Sequence, residues 1–234
     1  MLLKLTKHVS STLINGLIIS ELPPITKPEM KIKQTEIDGL DGSIIEELGY
    51  KSYTKTIAIG LHGKFDINQV IKFFTGEGDI VFSNEPDKVY KAKICGKIDY
   101  ARLLRYRKAS IPFIVQPYKY KFNEYVTETQ PKDIENGYME VFNEGLEDSM
   151  PLMVLKGSGA VEISVNGVGV FSYTFPENEN EVHIDSEIED AYLDDVLKNR
   201  NMNGEFPILL PKTNKIEWSG NVESISILPR SRWL

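Results

Sequence analysis

The stretch VEISVNGVGVFSYTF, residues 161–175, decides the fold class. Val161, Ile163 and Val165 alternate with Glu162 and Ser164, the period of a half-buried strand. Asn166-Gly167 then supplies two residues that accept positive φ, as a two-residue hairpin turn requires. A second strand, 168–175, returns. Outward from this hairpin the same grammar repeats. Short strand candidates fall at 138–142, 152–155, 182–184, 206–210, 215–218 and 222–228. With the two hairpin arms they make eight short strands and no helical stripe of useful length. That pattern predicts a β-sandwich or jelly roll.

The first half is also β-rich. Tyr53–Leu61 alternates, with Ile57, Ile59 and Leu61 on one face and Thr54, Thr56 and Ala58 on the other. Residues 66–75 read as a short helix. Asp66 is its N-cap, Gln69 stands at capping-box spacing, and Ile67, Val70, Ile71 and Phe74 form one apolar stripe before Gly76. A hairpin follows, with arms 79–82 and 89–98 about Asn84-Glu85-Pro86-Asp87. On its second arm Tyr90, Ala92, Ile94 and Ile98 share a face, and Lys91, Lys93, Cys95 and Lys97 share the other. A basic stretch, 102–108, leads into a strand around Ile111, Phe113 and Val115 that should stop at Pro117. The polar segment 124–137 carries Pro131 and ends on Asn136-Gly137, so the expected domains are 1–130 and 131–234.

Charge divides the same way. Residues 1–130 hold 19 Lys and Arg against 15 Asp and Glu; residues 131–234 hold 8 against 19. The halves carry +4 and −11, giving the chain its −7. Such asymmetry speaks to partners and solubility. The net negative charge argues against tight DNA binding, which needs a surplus of cations. The single cysteine, Cys95, excludes an intrachain disulfide and fits a reducing compartment. Polar residues break the apolar patches at 1–3 and 13–19, and no stretch reaches the roughly 18 apolar residues of a membrane span. The expectation is a soluble chain with no address signal.

No motif carries chemistry. Ser158 in Gly157-Ser158-Gly159 lacks the nucleophile-elbow spacing and a histidine partner. Gly63-Lys64 is not a phosphate loop. His8, His62 and His183 are scattered. His183, Asp185 and Glu187 would share one strand face, yet no second cluster completes a metal shell, so a solvated edge is the reading. From 157 to 197 there is no Lys or Arg while Glu177, Glu179, Glu181, Asp185, Glu187, Glu189, Asp190, Asp194 and Asp195 accumulate; a solvated surface, or a negative patch for a partner, outweighs a glycosidase pair. Lys91, Lys93 and Lys97 lack interleaved aromatics for nucleic acid, and a solvated or subunit-facing surface suits them better. Trp218 and Tyr173 could stack on a sugar, although core packing is the ordinary fate of both. No catalytic, cofactor-binding or metal-ligating residue is assigned.

The order of these elements resembles a known family. It runs from the Tyr53–Leu61 strand and the 66–75 helix to GDIVFSNEPDKVYKAKI (78–94) and IPFIVQPYKY (111–120). NEGLEDSMPLMVLKGSGAVEISVNG (143–167), VHIDSEIEDAYLDD (182–195), FPILLP (206–211) and NKIEWSGNVESISI (214–227) continue it. The chain resembles the distal tail protein (Dit) family of siphophages of Gram-positive bacteria over nearly its whole length. The resemblance implies a mainly β protein: an N-terminal ring-forming domain with a short helix, and a C-terminal galectin-like β-sandwich. It implies a homo-hexameric ring, single or stacked, at the virion tail tip, made in the host bacterial cytoplasm. Implied partners are the tail tube protein, the tail-associated hub or lysin protein, and receptor-binding or baseplate proteins, with DNA passing through the channel unread. It implies no enzyme activity and no cofactor. The alternative is a free-standing carbohydrate-binding module that recognises host wall glycans through the second half, and a glycan hydrolase comes third.

Overall fold

The computed structural model describes residues 3–5, 9–11, 14–39, 41–94, 96–129 and 138–234. Close contacts divide the chain into Met1–Phe122 with Leu234, and Asn123–Trp233. This division precedes 130/131 because Thr127–Thr129 already pairs with Lys212–Leu228 of the second unit. Pro131, Asn136-Gly137, His8 and Cys95 lie outside the described residues.

In the first unit one antiparallel sheet runs in the order β2 (Val9–Ser10), β1 (Leu3–Leu5), β7 (Gly76–Phe82), β8 (Lys88–Ile94), β9 (Lys108–Lys121), β6 (Tyr53–Leu61), β3 (Leu17–Glu21). The inward faces of its central strands bury Ile57, Ile59, Phe82, Tyr90, Ile111 and Phe113. Helix α1 (Ile67–Phe73) is capped by the Asp66 side chain, which accepts from the Asn68 N–H at 2.9 Å. It ends short of 75, with Phe74 as its C-cap; Val70 and Phe74 of the expected stripe are buried, Ile67 packs against the same core, and Phe73 joins them. A second helix, α2 (Tyr100–Tyr106), occupies the basic stretch that showed no helical signal. Only Leu103 of α2 is fully buried, so no apolar period could reveal it. β9 runs through Pro117 instead of stopping there. Between Tyr90↔Lys119 and Ala92↔Val115 the register slips, and Pro117 falls in that irregularity, where its missing N–H is not needed.

Between β3 and β6 the chain leaves this sheet altogether. β4 (Met30–Glu36) and β5 (Ser43–Tyr50) pair only with each other, as a two-stranded ribbon that the sequence reading did not foresee.

The second unit is built on two long bent strands, β12 (Leu152–Val165) and β18 (Lys212–Leu228), which pair along most of their length. Each was expected as two short strands. Near its start β12 pairs with β14 (Glu181–Asp185), which continues to β15 (Asp190–Leu193) and β16 (Val196–Leu197). Near its end β12 pairs with β13 (Val168–Thr174), then β17 (Met202–Gly204). β18 takes β11 (Tyr138–Asn143) on its first half and β10 (Thr127–Thr129) on its second. The bends lie at the register shifts around residues 156–161, opposite Gly220. A Cβ on Gly157 would stand 2.4 Å from the Asn221 carbonyl, and one on Gly220 the same distance from the Ala160 carbonyl. Glycine is what lets the two strands fold over together, so that both layers share them. Val161, Ile163, Tyr173, Ile184, Ile216 and Ile225 fill the space between. The Asn166-Gly167 turn forms as read, with φ of 54° and 78° and Val165 opposite Val168. Residues 206–210 form no strand; Leu209 makes only an isolated bridge to Ser149.

Candidate functional site

The ribbon is the least self-sufficient part of the first unit. Every residue from Lys31 to Glu36 and from Ile44 to Gly49 is exposed. Ile32, Ile44, Ile45 and Leu48 are each more than half exposed. A lone two-stranded ribbon is marginal in water, and its free strand edges are pairing surfaces. Fully burying one such side chain is worth roughly 1.5–3 kcal/mol. The ribbon thus carries exposed apolar side chains on a marginal two-stranded element.

The root of the ribbon is fixed, in contrast to its body. Lys51 donates its N–H to the Glu29 carbonyl at 2.8 Å and its Nζ to the Glu29 carboxylate at 2.7 Å. The Tyr50 ring meets Tyr118 edge-on at 6.2 Å. The connector between β3 and β4 is held from beneath. Asn84 Nδ2 donates to the Pro23 carbonyl at 3.0 Å, and Lys55 Nζ donates to the Pro24 carbonyl at 2.7 Å. Lys55 is only 3% exposed, because it shares the inward face of β6 with Ile57 and Ile59. Beside it Glu85 accepts from Lys119 Nζ at 2.6 Å through one oxygen and from the Tyr90 hydroxyl through the other. Burial lowers the Lys55 pKa; Glu85 opposes that shift and Lys119 adds to it. Burial and then Glu85 push the Tyr53 hydroxyl up to about 12, and burial and the Glu85 hydrogen bond push Tyr90 up as well. A cation at the alternation position before Ile57 was the legible sign of this network, which the motif search passed over.

A second feature lies at the junction of β3, β6, α2 and β9. Here an open groove of about 420 Å³ is lined by Ser20, Ala58, Lys97, Asp99, Arg102, Lys108 and Ser110. The Asp99 carboxylate caps α2, accepting from the Arg102 N–H at 2.9 Å. The three cations are exposed and make no ion pair among the described residues.

The other basic residues are engaged locally. Lys91 sits over the Tyr120 ring at 4.6 Å, and Lys93 pairs with Glu77 at 2.9 Å. Arg105 stacks on Tyr106, while Arg107 adopts a left-handed φ of 58° to end α2 and stacks on Phe65. The lysine face is thus divided, and Lys97 joins Arg102 and Lys108 in the groove.

The second unit disperses its candidates. Asp185 binds Arg230 through both oxygens, at 2.5 and 2.8 Å, and Glu187 approaches the same guanidinium at 3.5 Å. Burial alone would raise the Asp185 pKa, but the hydrogen bonds and charge of Arg230 hold it below the ordinary range. His183 contacts Glu181 at 3.1 Å and Tyr192 at 5.2 Å between ring centres. No group of three potential metal ligands occurs among the described residues. Glu179 of the acidic stretch is paired with Lys198. Ser158 accepts from Asn221 at the β12 bend, with no histidine beside it. Tyr173 is fully buried against Phe175, and Trp218 packs against the same core, so the two form no exposed aromatic platform. The Trp218 edge does line an open groove of about 520 Å³ with Glu162, Ser164, Ser172, Asn203 and Glu217. Among the described residues no helix is long and apolar enough to cross a membrane.

Solved structures of a phage hub protein and a phage baseplate are similar to this fold. The chain is similar along its whole length to the Dit protein (gp 19.1) of phage SPP1, a hub of the adsorption apparatus in phages that infect Gram-positive bacteria. That similarity has a TM-score of 0.70 at 14% identity and covers 100% of this chain and 99% of that one. Two structures of the phage P2 baseplate in its activated conformation are also similar, both at 9% identity. The calcium form gives a TM-score of 0.51 over 91% of this chain and 90% of that one; the strontium form gives 0.52 over 97% of each. No protein-family model matches the sequence, and no curated protein matches it significantly.

Proposed function

We infer that this chain is a structural distal tail protein of a siphophage or prophage. Six copies close into a ring at the tail tip, with the first unit forming the ring and the galectin-like second unit facing outward. The ring joins the tail tube to the hub, baseplate and receptor-binding proteins that adsorb to the host. It is made in the host cytoplasm, passes DNA without reading it, and catalyses nothing. The end-to-end similarity to the SPP1 Dit protein carries this reading, since it covers 100% of this chain and 99% of that one. The exposed ribbon supports it, because a ring of identical chains buries such a surface in every copy.

The test is mass and shape. Six chains of 26.6 kDa make a particle of about 160 kDa. Mass photometry and negative-stain imaging should find that species as an annulus with a central hole, alone or after addition of the cognate tail proteins. A chain that stays monomeric with those partners present would overturn the reading.

A further inference from the structure

The tip of the ribbon has its own chemistry. From Gln34 to Tyr50 there is no Lys or Arg, while the turn region carries Glu36, Asp38 and Asp41. All three are exposed, and none has a cationic partner among the described residues. Lys33, the nearest cation in the ribbon, is already paired with Glu46 at 3.3 Å. Ile37 beside them is 45% exposed. Gly39 and Gly42 hold φ of 83° and 93°, and a Cβ at either would meet nothing within 4 Å. Seven residues of β4 at about 3.3 Å each carry this turn roughly 20 Å from the anchored root.

The groove is the opposite surface. Lys97, Arg102 and Lys108 converge on it from three separate segments, with only Asp99 to offset them. Ser20 and Ser110 add hydroxyls, and Ile18, on the same face of β3 as Ser20, is 48% exposed. Acidic turn and basic groove belong to one unit, yet no ion pair joins them among the described residues.

We propose that the acidic ribbon turn of one copy docks in the Lys97–Arg102–Lys108 groove of the next copy. The contact joins two different patches of the protomer, the kind of interface that closes a ring and does not stop at a dimer. Asp38 and Asp41 face the groove cations, and Ile37 covers Ile18. The proposal rests on the ring reading and specifies its subunit contact. Charge pairing across such an interface sets register and association rate, and it weakens with salt.

The experiment is a charge exchange in the full chain, followed by sedimentation velocity across protein and salt concentrations. D38K/D41K and R102E/K108E should each weaken self-association at least about tenfold, as like charges meet across the contact. The fourfold variant D38K/D41K/R102E/K108E should return to within about threefold of the parent, because complementarity is restored with reversed sign. All four substituted side chains are solvent-exposed in the monomer, so thermal midpoints should not move; D38N/D41N gives the same direction with a smaller change if the lysine variant folds poorly. A ring that forms equally well in both double variants overturns this contact while leaving the ring reading intact. A parent that never self-associates, with or without its tail partners, overturns both.

Discussion

Replacing Glu85 by glutamine should destabilise the first unit by about 3 kcal/mol, near the lower end of what breaking a buried ion pair costs. The reasoning starts from accessibility. Side-chain exposure is 10% for Lys119 and 11% for Glu85, and their Nζ–Oε1 distance is 2.6 Å. Lys55, 3% exposed, has no carboxylate of its own; its hydrogen bond goes to the Pro24 carbonyl. Glu85 is thus the carboxylate that offsets two buried ammonium groups. Glutamine keeps the shape and an acceptor for Tyr90 but removes the charge. Lys119 can recover some water because its stem is long, which keeps the loss from the top of the range. For a unit of this size about 3 kcal/mol shifts the midpoint of thermal unfolding by roughly 10 °C. Both tryptophans, Trp218 and Trp233, lie in the second unit, so their fluorescence would miss the change. Hydrogen exchange read by mass spectrometry should show faster exchange in β6, β8 and β9, with the second unit unchanged. The double variant E85Q/K119M should recover part of the loss, since it removes one stranded cation. A loss below about 1 kcal/mol would refute the argument, because it would mean that the cluster is solvated in the way a surface pair is.

The remaining predictions of this kind concern the second unit. Asp185 has a carboxyl pKa held below its ordinary 3.8 by Arg230, so its stabilising contribution is present above that value and is lost as pH falls through the depressed folded one. Acid denaturation monitored by Trp218 fluorescence should therefore show a component below about pH 4 that disappears in Asp185→Asn; an unchanged acid limb would count against the pairing. Glu124 has the opposite sign, since burial raises its pKa above 4.5; its charge costs stability at neutral pH, and that cost fades as the solution is acidified toward the folded pKa. Gly220→Ala should cost about 2–4 kcal/mol in urea denaturation, because φ is +90° and the new Cβ would stand 2.4 Å from the Ala160 carbonyl. Gly159→Ala, with φ of +67° but open space around it, should cost only about 1 kcal/mol; equal losses at the two positions would show that steric closeness at the bend is not what selects glycine.

What the chain reveals about itself depends on where each burial partner lies. Tyr53–Leu61 and the Asn166-Gly167 hairpin were legible because one strand face is buried within its own unit, which imposes period two, and because the turn needs particular φ values. β12 and β18 were read as pairs of short strands because their bends carry Gly157-Ser158-Gly159 and Ser219-Gly220, which look like turns. Glycine in those places permits close backbone approach between two strands distant in sequence, and spacing alone cannot separate that from chain reversal. Helix α2 was hidden for a different reason: one buried residue, Leu103, makes no stripe. Lys97 joined the basic stretch of Arg102 and Lys108 only through the fold, which brings Lys97 and Lys108 to either end of that helix.

The ribbon is the instructive case. β4 and β5 contain enough β-branched residues to be strands, yet Ile44 and Ile45 are adjacent, so apolar side chains fall on both faces. A strand whose pattern answers to its own core would not be written so, because one of the two isoleucines must face water. Both do in the isolated chain, at 54% and 59% exposure. The absence of one-sided patterning is therefore informative: it marks a ribbon that the core of its own unit does not bury, as the proposed ring contact requires. The same logic separates this ribbon from β6, where even the charged Lys55 on the inward face is buried and finds an acceptor within the chain. On the proposed ring reading, burial inside the unit leaves period two, whereas burial between copies leaves two apolar faces and an acidic turn with no ion pair among the described residues. On that argument substitutions such as Ile32→Ser or Ile45→Ser should leave the thermal midpoint of the monomer nearly unmoved and weaken ring formation. A large fall in monomer stability would show that the ribbon is core after all.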